Sequence, residues 1–411
     1  EISCSLVGSE MCIRDRYSPL GQKSVKQTNV QTVFPVQEIR LWEPENPYLY
    51  EIRTSLWKNG EMIDARVDIT GFREAGFRKD GFYLNGKKLR LRGLNRHQSY
   101  PYVGYAAPAS MQIFDADILK KELGVNAVRT SHYPQSQDFI RRCDEIGLLV
   151  FTEFPGWQHI GDEEWKRQAV QNLMEMIVQY RNHPSIILWG VRINESQDDD
   201  VFYRETNRVA HELDDTRATG GVRMLKKSHL LEDVYTYNDF LHDGRHPGCN
   251  PKRKVTPDMK KPYLISEYNG HMFPTKPFDD EEHRTEHAIR HANVLNAVAQ
   301  EPDIAGSFGW CMFDYNTHKD FGSGDRICYH GVMDMFRNPK LAAAVYSSQQ
   351  EDTPVLELSS SMDIGEHPGG NRSGNWMITN ADAVRMYKNS KLIKEYHRED
   401  SPYRALAHGP I

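Results

Sequence analysis

The chain has 411 residues, with 51 Lys+Arg against 57 Asp+Glu and a formal net charge of −6; it is 39% hydrophobic and 26% charged. That composition excludes a disordered or fibrous chain, and a mildly acidic balance with no basic block argues against a nucleic-acid or anionic-membrane partner. No apolar run approaches the roughly 20 residues of a membrane-spanning helix, and the length allows two or three domains, one of them a barrel of roughly 250 residues.

In chain order, residues 1–16 come first. They carry neither the apolar core of a signal peptide nor a helix or strand period, and they resemble translated sequencing adapter. They are expected to lie outside the native fold, with the true N-terminus missing. The cysteines beyond them, Cys143, Cys249, Cys311 and Cys328, show no CxxC and no close spacing. Neither zinc nor a disulfide framework is implied, and reduced thiols in a cytoplasmic setting are the expectation.

Residues 17–82 read as part of a β-sandwich. Tyr48, Tyr50, Ile52, Thr54 and Leu56 alternate with their neighbours at a period of two, and Asn59-Gly60 offers a tight turn before the pattern resumes over 62–69. A different rhythm holds over 83–345, where short apolar runs alternate with amphipathic stretches. Strands are predicted at 89–95, 127–132, 148–154, 186–191, 219–223, 234–237, 263–268 and 305–313, and helices at 117–123, 137–146, 163–180, 201–213 and 281–299. Eight such repeats favour a (β/α)8 barrel over a doubly wound sheet. Over 352–411 the period of two returns, with Asn389-Ser390 as a turn, as the start of a C-terminal β-domain cut short at Ile411.

In a barrel of this kind the active site lies at the C-terminal strand ends. Those ends carry Asn95-Arg96-His97, Arg129 through His132-Tyr133, Glu153, Asn194-Glu195, Tyr237-Asn238, Glu267-Tyr268, and Trp310 with Asp314. Aromatic rings can stack on sugar faces, and sugar hydroxyls need many donors and acceptors. Glu195 and Glu267 each follow an apolar strand run, and two carboxylates across a barrel mouth can flank a glycosidic bond. For a single glutamate the ordinary reading is a solvated rim acid. His97 and His132 could instead join Glu153 or Glu195 at a metal, but no HExxH or short HxH spacing supports a dedicated cage.

These motifs resemble glycoside hydrolase family 2, the β-galactosidase and β-glucuronidase family. The resemblance runs from Trp42-Glu43-Pro44-Glu45-Asn46-Pro47 and Gly71-Phe72-Arg73 through Arg92-Gly93-Leu94-Asn95-Arg96-His97, Arg129-Thr130-Ser131-His132-Tyr133-Pro134 and Asn194-Glu195-Ser196. It ends with Ser266-Glu267-Tyr268 and Gly306-Ser307-Phe308-Gly309-Trp310. It implies a (β/α)8 TIM barrel flanked by immunoglobulin-like segments, and a retaining mechanism with Glu195 as acid/base and Glu267 as nucleophile. By the same resemblance Asn194 would hold the 2-hydroxyl, Arg129 would keep Glu267 ionised, and His97 and His132 would meet sugar hydroxyls. Tyr237 would stand beside the nucleophile and Trp310 on the sugar floor. The family's acidic metal-binding stretch is replaced here by Glu153-Phe154-Pro155-Gly156-Trp157-Gln158-His159, so no metal and no cofactor are expected. Residues 315–319 lack the Asn-x-Lys element that would bind a sugar carboxylate. A neutral sugar is therefore favoured, and galactose is the family's commonest. The alternatives are a β-glucuronidase or other β-glycosidase of the same family, or a non-catalytic carbohydrate-binding fragment truncated at both ends. The sequence does not fix the oligomeric state.

Overall fold

The computed structural model describes residues 5–13, 16–25, 35–36, 38–246, 248–270, 273–318, 324–362 and 373–411, and of residues 5–25 the backbone alone. Asn59 and Gly60 take φ of 51° and 83°, the left-handed pair that a two-residue hairpin requires, and they join strands Tyr50–Lys58 and Glu61–Thr70. These belong to a four-stranded antiparallel sheet. Within it Ser5–Ile13, from the segment expected to lie outside the fold, runs between Arg16–Val25 and Tyr50–Lys58. Three short strands, Ala75–Arg78, Gly81–Leu84 and Lys87–Leu89, then lead into the barrel.

The barrel strands are β1 (Leu91–Asn95), β2 (Ala127–Thr130), β3 (Leu149–Glu153), β4 (Ile186–Gly190), β5 (Ala218–Arg223), β6 (Val234–Asn238), β7 (Tyr263–Tyr268) and β8 (Gly306–Gly309). All neighbours pair in parallel, and β8 closes on β1 with Gly306 opposite Leu91. The barrel is therefore closed, as the alternation predicts. The helices are α1 (Ala109–Asp117), α2 (Gln137–Ile146), α3 (Glu163–Tyr180), α4 (Asp200–Leu213), the single turn α5 (Lys252–Val255), α6 (Glu281–Gln300) and α7 (Leu341–Ser347). Ser136, Asp162, Asp199 and Asp280 cap α2, α3, α4 and α6 by accepting an N–H bond near the start of each helix. Among the described residues, no helix is long and apolar enough to cross a membrane.

Helix α1 begins well before the predicted 117–123 and continues through a π-helical turn, Ile118–Glu122. The shift has a physical reason. The side chains α1 buries include Gln112 and Asp115, which receive Arg96 at 2.8 and 2.6 Å, so hydrophobic periodicity does not mark that face. Strand β8 is shorter than predicted: beyond Gly309 the chain keeps only single bonds to its neighbours, Trp310 N to Tyr268 O at 2.9 Å and Met312 N to Asn95 O at 2.8 Å. In the C-terminal part, Ala383–Lys388 and Lys391–His397 form a hairpin about Asn389-Ser390, both residues at positive φ, and Leu356–Leu358 pairs with Met377–Thr379.

Two apolar clusters hold these layers. One fills the space between the barrel and its helices; the other runs up the barrel from Trp42, Phe82 and Leu84 through Leu91, Phe151, Val222, Leu264 and Phe308. The barrel interior below the mouth is thus filled with hydrocarbon, while Arg73 and the buried Arg217–Asp214 pair hold the start of β4 from the base. Close approach inside the barrel depends on missing side chains. A β-carbon on Gly190 would stand 2.2 Å from that of Glu153. Gly190→Ala is accordingly expected to destabilise the chain by about 1–3 kcal/mol, read as a lower denaturation midpoint with an unchanged slope.

Candidate active site

Arg129, on β2, is completely buried, and its guanidinium joins four strand ends. Nη1 donates to Asn95 Oδ1 at 3.0 Å and to Glu267 Oε1 at 2.5 Å; Nη2 donates to Glu153 Oε1 at 2.5 Å and to Asn194 Oδ1 at 2.9 Å. Nε adds a longer bond to Glu153 Oε2 at 3.3 Å. Asn95 in turn donates to the carbonyls of Ser266, Phe308 and Gly309, which ties β1 to β7 and β8. Glu153 ends β3 one residue beyond the apolar run Leu148–Phe151. Its strand-end position is legible in the sequence, but its partnership with Arg129 is not.

One guanidinium therefore serves two buried carboxylates, and they share it unequally. Burial pushes the Glu153 carboxyl up, but Arg129 and then His132 outweigh it, and the net shift is below the ordinary value. For Glu267 the balance reverses: burial dominates, Arg129 opposes it, the charges of Glu195 and Glu153 add to it, and the carboxyl is raised to about 8. This corrects the expectation that Arg129 keeps Glu267 ionised. The contact is present, but half of the guanidinium is committed to Glu153.

Glu195 follows Asn194 beyond the end of β4, held with φ at 56° by its own N–H to Val222 O at 3.0 Å. A left-handed non-glycine residue is strained, and here it turns the carboxylate into the mouth. Three donors meet that carboxylate: Asn238 Nδ2 to Oε1 at 2.9 Å, and Trp157 Nε1 and Gln158 Nε2 to Oε2 at 3.1 and 3.2 Å. Trp157 and Gln158 lie in the connection from β3 to α3, which is docked by a backbone bond from Gln158 N to Asn194 O at 2.7 Å. No periodicity or motif foretells this partnership. It also bears on the metal. This loop turns N–H groups toward Glu195, and such groups do not fit a cation that needs oxygen ligands.

Both glutamates line one cavity of about 750 Å³, together with His97, His132, Asn194, Trp310 and Tyr315. His132 lies parallel to Trp310, with ring centroids 5.5 Å apart, and His97 packs on Tyr315 at 4.2 Å. Burial lowers the pKa of both histidines, well below the ordinary value for His97, where His132 and Arg129 add to the effect. Near neutral pH they act as uncharged hydrogen-bonding rings. Asn194 Nδ2 and Trp310 Nε1 are buried donors without a partner among the described residues. Each is therefore available to a ligand hydroxyl. Of the predicted set, Arg129 lies beneath the cavity wall and Tyr237 faces away from it. Tyr237 packs with Tyr235, Tyr263 and Ile265 in the apolar layer shared with the helices, because side chains alternate along β6. Its neighbour Asn238, opposite Glu267 in the register, takes the mouth position.

A closed parallel barrel with paired glutamates at the ends of β4 and β7, in a mouth walled by aromatic rings, is the arrangement of a glycoside-hydrolase barrel. The chain belongs to glycosyl hydrolases family 2: the model of that family's TIM barrel domain matches residues 76–354, and a second family model, described as glycosyl hydrolases family 2, matches residues 14–73. It is 54% identical over 393 residues to a β-galactosidase of Thermoanaerobacterium thermosulfurigenes, covering 95% of this chain and 54% of that one. It is 49% identical over 385 residues to a β-galactosidase of Thermoanaerobacter pseudethanolicus, covering 92% and 51%. The chain thus spans about half the length of these curated relatives. Among solved structures, an FMN-binding β-glucuronidase from Facaelibacterium prausnitzii L2-6 shares the fold with a TM-score of 0.80 at 24% identity, covering 96% of this chain and 64% of that one.

Removing the shared cation tests the network. Arg129→Met leaves two buried carboxylates without a counter-charge and is expected to cost about 3–5 kcal/mol at pH 7. The native Glu153 carboxyl is depressed, so its stabilising effect is present above its unfolded pKa and is lost as pH falls through the folded one. In the variant both carboxyls can take protons, so the deficit should shrink toward pH 5. Denaturant unfolding at the two pH values measures it.

Proposed function

We propose that the chain carries the catalytic barrel of a retaining exo-β-glycosidase that hydrolyses terminal non-reducing β-D-galactosides. The observation that carries this reading is the convergence of Glu195 and Glu267 on one cavity, with Arg129 against the second and three N–H donors against the first. Glu267 attacks the anomeric carbon while Glu195 protonates the leaving oxygen. Glu195 then removes a proton from the water that releases the sugar from the glycosyl ester. In this reading Asn194 Nδ2 bonds the 2-hydroxyl and Trp310 Nε1 is a second donor to the sugar, a role supported by the absence of any other partner for either among the described residues. The choice of galactose rests on the names of the two similar relatives and on charge. Two carboxylates and neutral histidines line the cavity, an environment that disfavours the additional carboxylate of a uronic acid.

Burial raises the Glu267 carboxyl to about 8, and a nucleophilic carboxylate attacks only when ionised, so kcat/KM is expected to rise as pH climbs toward about 8. A dinitrophenyl galactoside needs no acid, so it isolates this limb. A profile for that substrate that is flat across about pH 6–9 would remove this account.

The residue roles separate by substitution. Glu267→Gln should abolish turnover while sugar binding persists. Glu195→Ala should lose about 10²–10⁴-fold with poor leaving groups, keep its glycosylation step with good ones, and give a β-galactosyl azide when azide is added. A nitrophenyl glycoside panel should show the galactoside cleaved and the glucuronide not. If neither substitution alters the measured rate, the glutamates are ordinary rim acids and the catalytic groups lie elsewhere.

A further inference from the structure

We propose that a second, basic cavity beside α6 binds a small divalent oxyanion. The ligand is inorganic phosphate or the phosphoryl group of a phosphorylated metabolite. The cavity measures about 230 Å³ and shares no lining residue with the one that holds Glu195 and Glu267. Lys276 comes from the connection after β7, Lys340 from the connection after β8, and Arg284 and His287 from α6. Three cations and a histidine thus meet in a chain whose net charge is −6, and among the described residues the lining holds no carboxylate.

Lys340 is already answered: Nζ donates to Asp314 Oδ1 and to Thr275 O, both at 2.6 Å. Lys276 and Arg284 are not. Among the described residues neither side chain has an ion pair or a hydrogen bond; the Lys276 ammonium rests 4.6 Å above the Tyr329 ring, and Arg284 Nε is buried without a partner. The acids nearest in the chain are committed elsewhere. Asp279 accepts the backbone N–H of Lys276, Asp280 caps α6 through His283 N, and Glu281 accepts from the Ser360 hydroxyl and the Ser361 N–H. Two positive charges in one cavity are left without a counter-charge. That arrangement is costly by itself, and one divalent anion neutralises it.

His287 supplies an uncharged contact. It is 4% exposed, yet its Nδ1 has no partner among the described residues. Burial, with His291 and Lys340 close by, holds its pKa well below the ordinary value, so near neutral pH the ring offers an N–H rather than a further charge. Guanidinium, ammonium and imidazole then reach the ligand from two elements, which suits a tetrahedral oxyanion better than a planar carboxylate. Lys276 and Arg284 are partly exposed, so the cavity opens to solvent. Its volume is several times the roughly 30 Å³ share of one water, enough for phosphate.

Inorganic phosphate is the probe, titrated at constant ionic strength against sodium chloride. Thermal unfolding and calorimetry follow its binding, and neither readout depends on turnover. The expected result is a saturable rise in the unfolding midpoint, with one phosphate bound per chain. Arg284→Gln and Lys276→Gln should each weaken phosphate binding at least about tenfold, the size of one lost hydrogen bond to a charged group. Without phosphate both variants should unfold at or slightly above the parent temperature, because neither side chain has a protein partner to lose. Saturating galactose should leave the phosphate affinity unchanged.

A midpoint that climbs without saturating, and equally in both variants, is the general effect of an excluded salt and overturns the proposal. Competition with galactose also overturns it, by placing the anion in the catalytic cavity. An Arg284→Gln chain that unfolds below the parent in phosphate-free buffer would show that the guanidinium serves the fold, with the same consequence. Glucose 6-phosphate distinguishes the two sources of ligand. Tighter binding than phosphate assigns the cavity to a phosphorylated metabolite, and equal or weaker binding assigns it to the free ion.

Discussion

A single buried guanidinium between two carboxylates is the constraint from which the rest of the mouth follows. Arg129 is fully desolvated, a state that is costly unless every charge around it is answered. Glu153 answers it with both oxygens, and Glu267 answers with one. The amide oxygens of Asn95 and Asn194 take the remaining donor directions. Four strand ends are thereby fixed by one side chain, and a residue with a single point charge could not satisfy the same planar set of acceptors. The unequal sharing then sets the chemistry. The carboxyl with the better pairing is depressed, and the one with the poorer pairing and more neighbouring charge is raised.

Beneath this concentration of charge the barrel interior is apolar. Trp42, Phe82 and Leu84 close the base, and Phe151, Leu264 and Phe308 fill the middle layer. Polar groups inside a dry barrel would cost several kcal/mol each if unpaired, so they are restricted to the layer that opens to the cavity. Small residues make that layer fit. Gly190 leaves space for Glu153, and a β-carbon on Gly93 would stand 2.3 Å from the Phe308 ring. A second buried ion network, Arg96 and Arg337 on Asp115, anchors α1 beneath the β1 end that carries His97.

The connection from β3 to α3 decides how Glu195 is presented. It places two N–H groups on one oxygen while Asn238 holds the other, so the carboxylate is oriented by donors from opposite sides of the mouth. The same loop puts the half-exposed indole of Trp157 in the cavity wall, 5.7 Å from the His318 ring. Orientation of the acid and shape of the outer cavity are thus properties of one loop, and a change in either is felt by the other.

Much of this was legible in the sequence, for physical reasons that can be named. Parallel strands buried on both faces need unbroken apolar runs, so Leu149–Glu153, Ile186–Gly190 and Tyr263–Tyr268 declare themselves, and the acids that follow them mark the mouth. Two-residue hairpins need left-handed residues, so Asn59-Gly60 and Asn389-Ser390 could be read as turns. The start of α1 could not be read, because its buried face is polar. Tyr237 and Asn238 are adjacent at a strand end, and only the register on β7 determines which of them faces the cavity. Nor could the sequence show that Arg129 divides itself between Glu153 and Glu267, since those acids are remote in the chain and meet only when the barrel closes. Local pattern determined the strands, the turns and the candidate acids, because these depend on near neighbours and on the period of burial. The tertiary structure alone decided the partners, the protonation and the shape of the outer cavity, because each arises from groups that closure brings together.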